Sequence, residues 1–317
     1  MTQSPEELVE AAHNWWSTDI IDIHPGTIGV RGYPIEQLIG RISFPQMIWL
    51  MLRGDLPSAD QASLLEAALV ASVDHGPHAP SIAISRMSVT CGLPLNGAMA
   101  SAINVLDDVH GGAGQQCMEL YRDIDAELTD QGHRPDTPLA EADAVAAATT
   151  VWARWNERGV RYAPGFGHRF HPLDPRASRL LGLVDDQAAK GAVSGRFATI
   201  GRAVEEAISA GRSRRVPMNI DGATAVIYSE LGFAPELGRG IFILSRSVGI
   251  LAHAWEQTGQ GGRIKGPMTP KIPYRYTGEP RRDLPDADPS GTEGRFFSVH
   301  SSAASSGPTT AQPTEPA

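Results

Sequence analysis

Cysteine is nearly absent from this chain: Cys91 and Cys117 are the only two in 317 residues. Two thiols cannot build a disulfide framework, and they fit a reducing compartment, so a cytoplasmic protein is expected. Basic charge is also scarce. Lys plus Arg is 27 against 36 for Asp plus Glu, a net charge of −9. Without a long basic run, nucleic acid and anionic membrane surfaces are poor partners. Long apolar runs are missing too. The longest stretch free of charge, Met87 to Leu106, contains Ser, Thr, Asn, Gly and Pro, so it reads as buried core and not as a bilayer span. The first ten residues carry acids and no basic region ahead of an apolar one, so no signal peptide is expected. Neither G-x-S-x-G nor a phosphate-binding G-x-x-x-x-G-K loop occurs. The nearest approach to a dinucleotide fingerprint, Gly259-Gln260-Gly261-Gly262, follows a helical pattern instead of a strand. α/β-Hydrolase and nucleotide-binding chemistry are therefore unsupported.

What is present is an ordinary globular balance, 41% hydrophobic and 20% charged, on a chain long enough to bury a sizeable core. Residues 279–317 differ: they hold six Pro, six Ser and four Thr and almost no aliphatic side chains. Such a composition predicts a disordered tail, with Phe296-Phe297 its one feature able to dock. Ahead of it, helical signals dominate. Ser58-Ala59-Asp60-Gln61 is a capping box, followed by Leu64, Leu65, Ala68, Leu69, Ser72 and Val73 at helical spacing. Pro235 opens another helix, whose Leu237, Ile241, Leu244, Val248, Leu251 and Trp255 form one apolar face. Ile200, Val204 and Ile208 mark a third, closed by Gly211. The one strand-like stretch is a small hairpin, with Ile21, Ile23, Ile28 and Val30 flanking Pro25-Gly26. The fold class expected is all-α.

Three polar clusters lie in Gly-rich settings. In His110-Gly111-Gly112-Ala113-Gly114 the small residues allow a ligand to approach the backbone, and the following stretch is helical. A His at a helix N-terminus is held neutral by the dipole and can donate to a developing oxyanion; a plain turn His is the competing reading. Gly165-Phe166-Gly167-His168-Arg169 with Asp174-Pro175-Arg176 places two guanidiniums near a His, a pattern suited to carboxylate or phosphate, or else a solvated basic loop. In Asn219-Ile220-Asp221-Gly222-Ala223, Asp221 is either a poorly solvated base or an N-cap. His75-x-x-His78 and His168-x-x-His171 have no carboxylate or cysteine placed to complete a tetrahedron, so no metal is expected. Two functional classes remain open. One is an enzyme of carbon-acid chemistry using two His and one Asp. The other is a helical module that binds an anionic ligand without catalysis, which needs the arginines but not Asp221.

The three clusters, in this order, resemble the citrate synthase superfamily. Arg31-Gly32-Tyr33-Pro34-Ile35, Arg53-Gly54-Asp55-Leu56-Pro57 and Asp74-His75-Gly76-Pro77 are similar to its earlier landmarks, so the resemblance spans residues 14–278. It implies a helical fold with the active site in a cleft between a large and a small domain, and a homodimer. The boundaries expected are 10–115 with 222–278 for the large domain, 116–221 for the small one and 279–317 for the tail. The resemblance also implies roles. Asp221 would move a proton at the methyl group of acetyl-CoA, His110 would hold the enol oxygen, and His168 would serve the carbonyl or hydroxyl of the second substrate. His75, His168 and Arg176 would bind oxaloacetate or the citryl group, and Arg169 and Lys265 would add substrate contacts. CoA thioesters would be substrates, with no tightly bound cofactor.

Two departures bear on the reaction. Asp74 follows Pro57 by only 17 positions, where ordinary citrate synthases carry a longer helical stretch. That short form resembles citryl-CoA lyases and the lyase module of ATP-citrate lyase. Lys265-Gly266-Pro267 falls near a family arginine that precedes proline, and Lys makes no planar bidentate contact. The reaction expected is cleavage of citryl-CoA to acetyl-CoA and oxaloacetate, or its reverse. The alternative is a compact citrate synthase, or a relative acting on another acyl-CoA or keto acid.

Overall fold

The computed structural model describes residues 4–135, 137–167 and 172–282. It opens with α1 (Pro5–His13), then β1 (Ile21–His24), β2 (Thr27–Val30) and β3 (Tyr33–Pro34), an antiparallel sheet in that order. The expected hairpin is β1–β2, with Ile21 opposite Val30 and Ile23 opposite Ile28. The third strand is two residues long, too short to show alternation in the sequence.

The remaining regular elements among the described residues are helices: α2 (Ile35–Leu38), α3 (Phe44–Arg53), α4 (Ala59–Ser72), α5 (Pro80–Thr90), α6 (Leu95–Ile103), α7 (Ala113–Asp130), α8 (Glu141–Glu157), α9 (Pro175–Ala189), α10 (Arg196–Ser209), α11 (Ile220–Glu230) and α12 (Pro235–Gln260). The fold is thus predominantly helical with one small sheet. The capping box at α4 forms as expected: Ser58 Oγ accepts from the Gln61 N–H, and the Gln61 side chain accepts from the Ser58 N–H. Ile200, Val204 and Ile208 are buried along α10.

Helices α4, α7, α8, α9, α10 and α11 share one core around Leu65, Leu120, Tyr121, Ile124, Val184, Ile200 and Ile227. A second cluster joins α5 and α6 to α12 through Ile82, Ala102 and Ile250. Helix α12 departs from the sequence reading. Of its apolar spacing only Ile241 is buried, while Val248 is 59% and Trp255 66% exposed. The buried side carries Gly238, Ser245, Arg246, Gly249 and Ile250 instead. Small residues let the helix backbone approach its neighbours, and a Cβ at Gly249 would stand 2.2 Å from the Val73 carbonyl oxygen. Likewise, of the charge-free stretch from Met87 to Leu106 only Thr90, Ala98, Ala102 and Leu106 are buried, and the rest is half-buried or exposed.

Met1–Thr269 is one compact unit, and Pro270–Ala317 is a second. The second contains no helix or strand among its described residues, 270–282. The expected disorder beyond Arg282, including Phe296-Phe297, lies outside the described residues. No helix among the described residues is long and apolar enough to cross a membrane.

Candidate active site

Five segments far apart in sequence converge on a cavity of about 140 Å³, lined by Ser72, His75, His110, Arg176, Asp221, Phe242 and Arg246 among others. Four of them are element ends, where the backbone has donors or acceptors to spare, and the fifth is the interior of α12.

His75 sits in the turn after α4. Asp74 Oδ2 accepts the Gly76 N–H at 3.1 Å and closes that turn. His75 stands at the rim, and its pKa is lowered, first by partial desolvation of the ring and then by the positive charges of Arg176 and Arg246.

His110 precedes α7 in a loop that folds back on itself: the Asp107 N–H donates to the His110 carbonyl at 2.9 Å. Gly112 is required there, because a Cβ would meet the Asp108 carbonyl oxygen at 2.6 Å. Arg239 of α12 pairs with Asp107 at 2.7 Å and also with Asp108, fixing the loop from outside. The His110 ring is caught by the start of α5. The Ser81 N–H has no intrahelical partner and donates to His110 Nε2 at 3.2 Å. A backbone N–H can only donate, so Nε2 accepts, and the neutral ring carries its proton on Nδ1. Burial lowers the His110 pKa, and Arg246 and His75 lower it further, which favours that neutral form.

Asp221 stands in the first turn of α11, where the helix dipole favours a carboxylate. It is not the N-cap. Asn219 takes that role, its Oδ1 accepting from the N–H groups of Asp221 at 2.9 Å and Gly222 at 3.3 Å. The half-buried Asp221 side chain faces the cavity. Asn219 also ties α11 to the Gly165–Gly167 segment: its Nδ2 donates to the Gly167 carbonyl at 2.7 Å, and its N–H to that of Gly165 at 2.9 Å.

Arg176 is held by Asp174, with Nε to Oδ1 at 2.9 Å and Nη2 to Oδ2 at 2.8 Å. Asp174 Oδ2 also accepts the Ile220 N–H at 3.1 Å, joining the starts of α9 and α11. Burial alone would raise the Asp174 pKa, but the hydrogen bonds from Arg176 and Ile220 outweigh it and hold it below the ordinary value.

Arg246 is the cavity residue that sequence reasoning missed. It is 7% exposed, its Nε donates to the Ser72 carbonyl at 3.2 Å, and its guanidinium lies 5.0 Å from the Phe242 ring centroid. Burial lowers its pKa, while the charges of Asp221 and Asp74 support the cation. Its signal was an arginine one turn beyond Phe242, on the small-residue side of α12.

Of the other expected site residues, only Lys265 is described, and it is not among the residues lining the cavity. His168 and Arg169 lie outside the described residues, as does His171. Lys265 is exposed, and its N–H donates to Thr90 Oγ1 at 3.0 Å. Among the described residues no cluster of three His, Cys, Asp or Glu is arranged to hold a metal. A larger cavity, about 670 Å³, shares Phe166 and Gly167 with the support of α11 and is lined by Trp152, Arg161, Tyr162 and Arg212.

Residues 58–268 match the family model described as citrate synthase, C-terminal domain. The chain belongs to the citrate synthase family. Among its relatives is the citrate synthase of Haloferax volcanii, 31% identical over 240 residues, which cover 75% of this chain and 56% of that protein. The chain thus spans little more than half the length of this curated relative. Among solved structures, the citryl-CoA lyase of Hydrogenobacter thermophilus is 29% identical, with a TM-score of 0.71 over 85% of this chain and 97% of that one. The ATP citrate lyase of Methanothrix soehngenii, at 17% identity and a TM-score of 0.67 over 88% of this chain and 46% of that one, shares the fold. The family assignment is the one expected from the three Gly-rich clusters.

Proposed function

We propose that this chain makes or breaks the carbon–carbon bond between an acyl-CoA and a keto acid, with Asp221 as the base and His110 as the enol-oxygen donor. The observation that carries this reading is their placement around one cavity: Asp221 in the first turn of α11, and His110 with the Ser81 N–H on Nε2, which leaves the ring proton on Nδ1. A thioester α-proton is weakly acidic, so its removal needs a positioned base and an oxyanion donor together.

In the condensing direction Asp221 takes a proton from the acetyl methyl group, and the electron pair moves onto the thioester oxygen, held by His110. The enol carbon then attacks the keto carbon, whose oxygen takes up a proton, a role the family resemblance gives to His168. Cleavage runs the same steps backward: the hydroxyl loses its proton, the carbon–carbon bond breaks, and Asp221 returns a proton to the methyl carbon. Arg246, Arg176 and His75 would hold the keto-acid carboxylates, and Arg169 and Lys265 remain proposed substrate contacts. The 670 Å³ cavity offers Arg161 and Arg212 for phosphates and Tyr162, Trp152 and Phe166 for a purine ring, which supports CoA as substrate.

Acetyl-CoA and oxaloacetate are the proposed pair. The synthase reading, raised above as the alternative, is the better supported, because the curated relatives are citrate synthases. Two observations favour the lyase reading: α4 alone fills the interval between Pro57 and Asp74, and the citryl-CoA lyase structure is similar over most of this chain. The site draws Ser72, His75, His110 and Arg246 from the proposed large domain and Arg176 and Asp221 from the proposed small one, which supports a cleft between them. The exposed stripe of Leu244, Val248, Leu251 and Trp255 supports a homodimer. Free cysteines support a cytoplasmic location.

Two assays test the reading. Acetyl-CoA with oxaloacetate is followed by free thiol, and citryl-CoA by both thiol and oxaloacetate, the latter through a coupled dehydrogenase. Thiol from the first mixture establishes a synthase. Oxaloacetate from citryl-CoA outpacing thiol establishes a lyase. No product in either, with oxaloacetate failing to bind, rejects the reading.

A further inference from the structure

His253 of α12 lies outside the cavity yet connects to the turn that carries His75. Arg86 Nη1 stands 3.0 Å from His253 Nδ1. A guanidinium can only donate, so Nδ1 accepts, and the neutral ring carries its proton on Nε2. Nε2 lies 3.3 Å from Asp74 Oδ2 and donates to it. The same oxygen accepts the Gly76 N–H that closes the His75 turn. Arg86 Nη1 also donates to Glu256 Oε2 at 2.5 Å, and Nη2 donates to Gln260 Oε1 at 2.6 Å. The hydrogen bonds therefore run in one direction, from Arg86 through His253 to Asp74.

The far side of Asp74 makes the arrangement selective. Its Oδ1 is buried without a hydrogen-bond partner among the described residues. It rests against Gly249, where an added Cβ would lie 3.1 Å away. One carboxylate oxygen is thus wedged on the α12 backbone, and the other is held by the turn and by His253. Burial would raise the Asp74 pKa, but the bonds from His253 and from the N–H groups of Gly76 and His75 outweigh it and lower it.

We propose that His253 is a positioning residue for His75: a neutral imidazole protonated on Nε2 that grips Asp74 and so sets the turn aiming His75 at the keto acid. The proposal rests on the reading of His75 as a keto-acid contact. Losing a hydrogen bond to a charged group weakens an arrangement by about tenfold or more. In His253→Leu, KM and the calorimetric Kd for oxaloacetate should rise by about that factor, with kcat changed much less. The His75 ring signals in ¹H–¹⁵N spectra should move. His253→Gln, whose amide can accept from Arg86 and donate to Asp74, should restore both.

Unchanged oxaloacetate affinity and His75 signals in the Leu variant, beside a lowered melting temperature, would show a merely structural role and overturn the proposal. If the Leu variant does not fold, the wild-type ring decides. Its ¹⁵N shifts should report the Nε2–H tautomer at neutral pH, and an Nδ1–H tautomer or an imidazolium would also overturn the proposal. These spectra need no substrate, so failure here is distinct from failure of the functional reading, which appears as wild-type protein that does not bind oxaloacetate.

Discussion

The backbone N–H of Ser81 donates to Nε2 of His110 across 3.2 Å, linking the first turn of α5 to the loop ahead of α7. A main-chain donor selects the ring tautomer, so side-chain substitution at Ser81 should leave it intact. Ser81→Ala removes only the hydroxyl contact at 3.1 Å and should change kcat no more than a few-fold. His110→Gln, by contrast, should lower kcat by about 10²–10³, the scale of one lost oxyanion donor. Steady-state kinetics of both variants check the pair, and equal losses would place the donor function on Ser81 instead.

The pH dependence follows from the same ring. Desolvation puts the folded pKa values of His110 and His75 below the ordinary 6.5. Neutral His110 is the active form, so kcat/KM should hold as pH falls past 6.5 and drop only at the lower, folded-state value. Stability moves the same way. The unfolded chain binds these protons first, so stability present above 6.5 is lost as pH falls through the folded values. A pH–rate profile beside melting curves tests both, and an acid limb centred above 6.5 would contradict the assignment.

Asp221→Asn should reduce condensation and cleavage by about 10²–10⁴-fold, the usual contribution of a general base. The cap of α11 is Asn219, so the melting temperature should change little. A variant with wild-type turnover would remove Asp221 from the chemistry.

Arg246→Met separates binding from folding. Met is of similar bulk and removes the desolvated cation, so stability should be kept or raised. The loss of a charged hydrogen-bond donor should raise KM for the keto acid by roughly 10- to 100-fold. Calorimetric titration with oxaloacetate checks this, and unchanged affinity would make Arg246 a structural residue.

Gly165 and Gly222 lie back to back, and a Cβ at Gly222 would meet the Gly165 carbonyl oxygen at 2.5 Å. Gly165 has φ +82°, and its own Cβ would meet the Gly222 N at 2.8 Å. Either Gly→Ala change should therefore destabilise by at least about 1–3 kcal/mol through overpacking. Activity should fall as well, because the start of α11 carries Asp221. Denaturant unfolding with assays of the folded fraction measures both effects.

Much of this protein was legible from its residues alone. The helical class, the α4 capping box, the β1–β2 hairpin and the family could be read because each rests on neighbours in sequence: a cap, a turn, a Gly-rich motif. Those signals are local, and local chemistry sets them. The sequence also left Asp221 open between base and cap. Only the fold showed Asn219 in the cap position, with Asp221 facing the cavity. The tautomer of His110 depends on Ser81, 29 positions away, and the grip on Asp74 depends on His253, 179 positions away. Tertiary structure likewise decided which side of α12 is buried. Its apolar spacing predicted one face, yet close backbone approach at Gly238 and Gly249 selected the other and brought Arg246 into the site. Periodicity records where apolar side chains lie around a helix; it does not record where a neighbouring backbone needs room.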